Sequence, residues 1–194
     1  MFSSTSPDES DASVLLRAAH YSARRHRAQR RKGSDADPYI NHPLHVASLL
    51  AEHGAITAVD ILVAALLHDT VEDTETTDAD LRDAFGNTVA DLVAEVTDDR
   101  SLSKDERKEA QVAHAPSLSR GAKLIKLADK TSNVRDMYAN PPQWPLQRRM
   151  EYLDWAMLVV SGIRGVHVEL EALFDETMGK AWAVLRAEES QRKA

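Results

Sequence analysis

The stretch "DILVAALLHDTVED", residues 60–73, constrains this chain more than any other. Val59, Ile61, Leu62, Val63, Leu66 and Leu67 occupy nearly every side of a helix wheel, so this segment is expected to be a central, buried helix. It then runs straight into His68, Asp69, Glu72 and Asp73. An ionised carboxylate carried this close to a core costs several kcal/mol unless something compensates it, and a bound cation is the leading candidate. With His68 at zero and about 100° per residue, Asp69, Glu72 and Asp73 fall at about 100°, 40° and 140°. All four therefore share one sector of the helix.

The rest of the chain reads as helix as well. Ser10 or Asp11 caps a first helix whose core face is Val14, Leu15, Ala18, Ala19 and Tyr21, and "RRHRAQRRK" is expected to continue it in basic form until "GSDADP" breaks it. Pro43 suits the start of a second helix with the face Leu44, Val46, Ala47, Leu49 and Leu50, which Gly54 stops. Thr57 with Asp60, Thr77 with Asp80 and Ser103 with Glu106 each have capping-box spacing. "NTVADLVAEV", "GAKLIKLADKTSNVRDMY" and two C-terminal amphipathic segments complete the pattern. With no β-run, repeat or heptad register, the fold class is all-α, a bundle of about eight to ten helices. Residues 1–10 are expected to be a mobile tail and residues 11–194 a single domain.

Composition narrows the chemistry. The chain has no cysteine, so histidine and carboxylates are its only plausible metal ligands. A net charge of −7 argues against a broad nucleic-acid surface. The absence of a long apolar span or a signal-like start leads us to expect a cytoplasmic protein with no membrane partner.

Two further places carry candidate ligands. In "KLIKLADKTSN" a lone acid, Asp129, follows an apolar helical stretch, with Lys126, Lys130 and Asn133 within one turn. In "PYINHP", His42 sits on stiffened backbone just before a helix start. Each has a plainer reading, an internal ion pair and a structural histidine. Together, His42, His68, Asp69 and Asp129 make a donor set suited to Mn²⁺, Fe²⁺ or Zn²⁺, leaving Glu72 and Asp73 free for proton transfer. The other histidines, His20, His26, His45, His53, His114 and His167, are expected on the surface or in packing. Trp144, Trp155 and Trp182 are expected in the core.

The strings "QRRKGSDADPYINHPLHVASLL", "AALLHDTVEDTETT", "FGNTVADLVAEVTDD" and "GAKLIKLADKTSNVRDM" resemble, in order and spacing, the HD-type hydrolase domain of the RelA/SpoT family in its stand-alone form. The resemblance implies an HD phosphohydrolase fold and hydrolysis of guanosine tetraphosphate or pentaphosphate to GDP or GTP and pyrophosphate, with one Mn²⁺ per chain. It implies His42, His68, Asp69 and Asp129 as metal ligands and Glu72 and Asp73 as the pair that positions and activates water. It also implies Arg31 and Lys32, and with them Asn133, as substrate contacts. Thr131 and Ser132 depart from the family's pattern, where larger residues are common. The chain ends soon after the family's hydrolase boundary, so degradation without synthesis is expected. Alternatives on the same metal site are phosphatase action on the 2′-phosphate of NADPH or on another nucleotide. A catalytically silent alarmone sensor and a homo-oligomer also remain open at this point.

Overall fold

The structure, a computed structural model, describes residues 9–33 and 35–193. Among these the chain is helical with no extended strand: α1 (Asp11–Arg25), α2 (Asn41–Ser48), α3 (Val59–Leu67), α4 (Thr70–Asp73), α5 (Asp78–Phe85), α6 (Asn87–Val96), α7 (Lys104–His114), α8 (Arg120–Ala139), α9 (Leu146–Ser161) and α10 (Val168–Lys193). Most of the expected tail lies outside the described residues. At its end, Ser10 Oγ accepts the Ser13 N–H at 3.3 Å, and Glu9 pairs with Arg17 at 2.7 Å.

Helix α3 is the axis of the bundle, because six consecutive residues from Leu62 to Leu67 are buried. It packs on α1, α2, α6 and α8, while α8 is backed in turn by α9 and the long α10. Boxes at Thr77/Asp80 and Ser103/Glu106 start α5 and α7. Gly86, at φ 86°, makes the sharp corner between α5 and α6 that a side chain would strain.

Four expectations are corrected. Thr57 and Asp60 form no box: Ala58 is the N-cap, so Asp60 stands at the second helical position, one short of the required spacing. Leu44 is exposed, because α2 starts at Asn41 and turns His42, Pro43 and Val46 inward instead. The basic run does not continue α1, which stops at Arg25. Beyond it the buried His26 ring bonds the Gln29 side chain, and Arg31 N–H and Tyr39 N–H donate to Asp37 and Gln29 carbonyls, so these groups leave the helical ladder. Finally, the apolar helix and its acidic end are two helices, not one. His68 Nδ1–H donates to Ala65 O at 2.8 Å and Thr70 Oγ–H to Leu67 O at 2.6 Å, and these side chains compete with the backbone at the break.

Candidate active site

The α3–α4 break presents His68 and Asp69 to the groups arriving from α2 and α8. His68 Nε2 lies 3.1 Å from Asp69 Oδ2 and 3.8 Å from Asp129 Oδ1, and His42 Nε2 lies 3.6 Å and 3.2 Å from the same two oxygens. Ligands about 2.1 Å from one ion stand roughly 3.0 to 3.5 Å apart on adjacent positions; two of these separations fall in that range and the other two exceed it by a few tenths of an ångström. Ligand atoms of His42, His68 and Asp69 all lie within 4.8 Å of one another.

The donors are also prepared for a cation. His68 gives its Nδ1 hydrogen to Ala65 O, so the buried Nε2 is the nitrogen that faces the cluster, able to ligate once a cation displaces its proton. Burial opposes a charge on His68, yet the Asp69 and Asp129 carboxylates push its pKa up to about 9. The same two carboxylates are the charges that a cation at this point would meet. Burial keeps His42 below its usual pKa, the neutral form that ligates. Asp69 and Asp129 stay ionised against burial, the first chiefly through His68 and the second through Lys130. The residues present therefore fit a divalent cation.

Three more groups set this cluster in place. Tyr39 O–H donates to Asp69 Oδ2 at 2.6 Å, and its ring stacks on His26 at 4.7 Å. Lys130 Nζ–H donates to Asp129 Oδ2 at 3.1 Å, and Asn133 Nδ2–H donates to Asp129 Oδ1 at 2.5 Å. Asn133 Oδ1 in turn accepts from Arg31 at 2.8 Å, and Arg31 pairs with Asp136 at 2.6 Å. Arg31 is thus docked on α8 from a loop that is closed by a bridge between Arg30 and Pro38 and joined by another, Gly33 to Pro142, to the segment after α8. Gly33 is needed because a side chain there would collide with Asn140.

The cluster opens into a cavity of about 480 Å³ lined by Arg31, Lys32, Glu72, Asp73, Asn133 and Tyr152, among others. Glu72 Oε2 accepts the Asp98 N–H at 3.2 Å, and burial together with the Asp98 charge pushes its pKa up to about 7. Asp73 is exposed, and its Oδ2 accepts Gln29 Nε2–H at 2.8 Å, while Gln29 Oε1 lies 2.7 Å from His26 Nδ1. The structure thus brings His42, His68, Asp69 and Asp129 together and sets Glu72, Asp73, Arg31, Lys32 and Asn133 around one opening.

Sequence reasoning missed several participants. Trp144 and Trp155 are half-buried walls of this cavity as well as core packing, with Lys130 Nζ 4.4 Å from the Trp155 ring centre and Arg148 4.2 Å from that of Trp144. Tyr39 holds Asp69 directly, and His26 stacks on Tyr39 from behind. The one available signal was position: Tyr39 is three residues before His42, and Gln29 directly precedes Arg30, Arg31 and Lys32.

The arrangement and the sequence agree on a class. The chain belongs to the HD domain family, whose pattern matches residues 18–154. Guanosine-3′,5′-bis(diphosphate) 3′-pyrophosphohydrolase MESH1 of Danio rerio is 51% identical over 163 residues, 84% of this chain and 91% of the relative. The Homo sapiens protein of that name is 52% identical over 163 residues with the same coverage. A solved structure described as a metazoan orthologue of SpoT that hydrolyses ppGpp and plays a role in starvation responses has a TM-score of 0.85 and 43% identity. That match covers 91% of this chain and 98% of the other.

Proposed function

We propose that the chain is a Mn²⁺-dependent pyrophosphohydrolase of guanosine 3′,5′-bis(diphosphate) and the corresponding pentaphosphate, releasing pyrophosphate and GDP or GTP. The observation that carries this is the convergence of two imidazoles and two carboxylates at the floor of a cavity rimmed by Arg31 and Lys32, in a chain about half identical to enzymes of that name.

His42, His68, Asp69 and Asp129 would hold the ion. A divalent cation there supplies Lewis acidity toward a phosphoryl oxygen and acidifies water, at a site where the protein offers no nucleophile of its own. Glu72 accepts the proton of the attacking water, a role its pKa near 7 suits. Asp73, steadied by Gln29, aligns that water. Attack at the phosphorus joined to the ribose 3′ oxygen breaks that O–P bond, and the electron pair leaves on the 3′ oxygen of the nucleoside diphosphate. Arg31 and Lys32 offset charge on the transferred group. Asn133, which ties Arg31 to Asp129, couples the phosphate contact to the ligand set.

The deciding experiment incubates the purified protein, with Mn²⁺ or with chelator, against guanosine 3′,5′-bispyrophosphate and NADPH in parallel, resolving products by anion exchange. GDP and pyrophosphate are expected only with metal, and neither is expected from a Glu72→Ala, Asp73→Ala double variant. Metal binding without consumption of the guanosine substrate would overturn the assignment. Phosphate release from NADPH alone would move it to the 2′-phosphatase reading.

A further inference from the structure

Behind His42, away from the catalytic cavity, four polar groups form a chain. Arg135 Nη1 lies 3.0 Å from His45 Nε2, His45 Nδ1 lies 2.8 Å from Ser132 Oγ, and Ser132 Oγ lies 3.1 Å from His42 Nδ1. A guanidinium can only donate. His45 Nε2 must therefore accept, its ring hydrogen resides on Nδ1, and that N–H donates to Ser132. The serine oxygen receives one hydrogen bond whatever His42 does.

His42 can then meet Ser132 in two ways. If Ser132 O–H donates to His42 Nδ1, the imidazole hydrogen stands on Nε2, facing Asp129 Oδ1 at 3.2 Å, and His42 cannot ligate. If His42 Nδ1–H donates to Ser132, the Nε2 lone pair faces Asp69 and Asp129. In this second state the serine oxygen accepts from both rings, and its own hydrogen can turn to a helix carbonyl one turn back, as Thr131 Oγ–H does to Leu127 O at 2.8 Å.

We propose that Ser132 and His45 are positioning residues of the metal site: His45, set by Arg135, keeps the Ser132 oxygen an acceptor, and Ser132 takes the Nδ1 hydrogen of His42 so that Nε2 is free for the cation. This rests on the reading of His42 as a ligand. Outer partners of ligating imidazoles fix their tautomer and orientation in this manner, and Ser132 and His42 are both buried, 2% and 4% exposed. Neither Ser132 nor His45 lines the catalytic cavity; both line a neighbouring cavity of about 340 Å³, which shares Arg31, Asp136 and Asn140 with the first, and their hydrogen bonds run to His42. A change at either position thus reaches the chemistry through His42.

The test measures Mn²⁺ affinity by calorimetry for the wild type and for Ser132→Ala, Ser132→Thr and His45→Phe, with thermal melts of the metal-free forms as the folding check. Ser132→Ala is expected to weaken binding by roughly 10- to 100-fold and His45→Phe several-fold, while Ser132→Thr, which keeps the hydroxyl, restores it. KM for the nucleotide at saturating Mn²⁺ should stay near the wild-type value, the split that separates support of the metal from contact with substrate. Wild-type affinity in a folded Ser132→Ala overturns the proposal. If that variant does not fold, wild-type affinity in His45→Phe overturns it instead. A wild type that binds no Mn²⁺ defeats the metal reading and the relay together, an outcome distinct from loss of the relay alone.

Discussion

Glu72 carries a charge whose stability and chemistry pull in opposite directions. Its folded pKa, about 7, lies above the ordinary carboxylate value, so between these values the native state binds more protons than the unfolded chain. Stability contributed by the protonated form is therefore lost as pH rises toward 7. Replacing Glu72 with Gln should raise the melting temperature relative to wild type at about pH 8 and change it little at about pH 5, as a thermal scan at both would show. The proposed role of Glu72 as base uses the ionised form, so kcat should rise with pH through about 7. Asp98→Asn keeps the backbone N–H to Glu72 and removes the neighbouring charge, and should move that rise to lower pH, measurable in a pH–rate profile. Tyr39 makes a second residue-scale case: Tyr39→Phe removes the donor to Asp69 and should weaken Mn²⁺ binding by roughly tenfold in a calorimetric titration. His68, Asp69 and Asp129 could be proposed from their residue types and their placement after apolar runs, and His42 from its place on stiffened backbone before a helix start. Tyr39, Gln29, His45 and Ser132 could not, because what they touch lies 30 to 90 residues away along the chain.

At the scale of elements, local chemistry was readable wherever it was self-contained. Ser103 and Glu106 satisfy each other's backbone within four residues, and Ser103→Ala should cost about 1 kcal/mol in urea unfolding while leaving turnover unchanged. The α3–α4 break was not readable as a break, since "LLHDTVED" carries no proline or glycine. It depends on two side chains choosing backbone carbonyls, and Thr70→Val, which deletes one of those bonds in a buried place, should destabilise by roughly 1 to 2 kcal/mol. The basic segment after Arg25 was misread as helix for a related reason. Its backbone partners come from Asp37 and Tyr39 across the loop, and its side-chain anchor, Asp136, comes from α8.

In the whole molecule, packing around the buried axis α3 brings candidate ligands from α2, the α3–α4 break and α8 to one point, and a cation is expected to repay the repulsion among the acids. Added Mn²⁺ should therefore raise the melting temperature, chelator should reverse it, and Asp129→Ala should abolish the gain. Among the described residues no helix is long and apolar enough to cross a membrane. The sequence by itself determined that this chain is of the all-α class, which stretch lies at its centre and which donor types stand at the ends of apolar runs, because burial periodicity and capping act within a few residues. Only the tertiary structure decided that the donors of α2, α3 and α8 meet within 4 Å, that Arg31 is held on α8 and that His42 rests on Ser132 and His45. Those contacts join segments with no local means of sensing one another, and packing around α3 is what closes the distance between them.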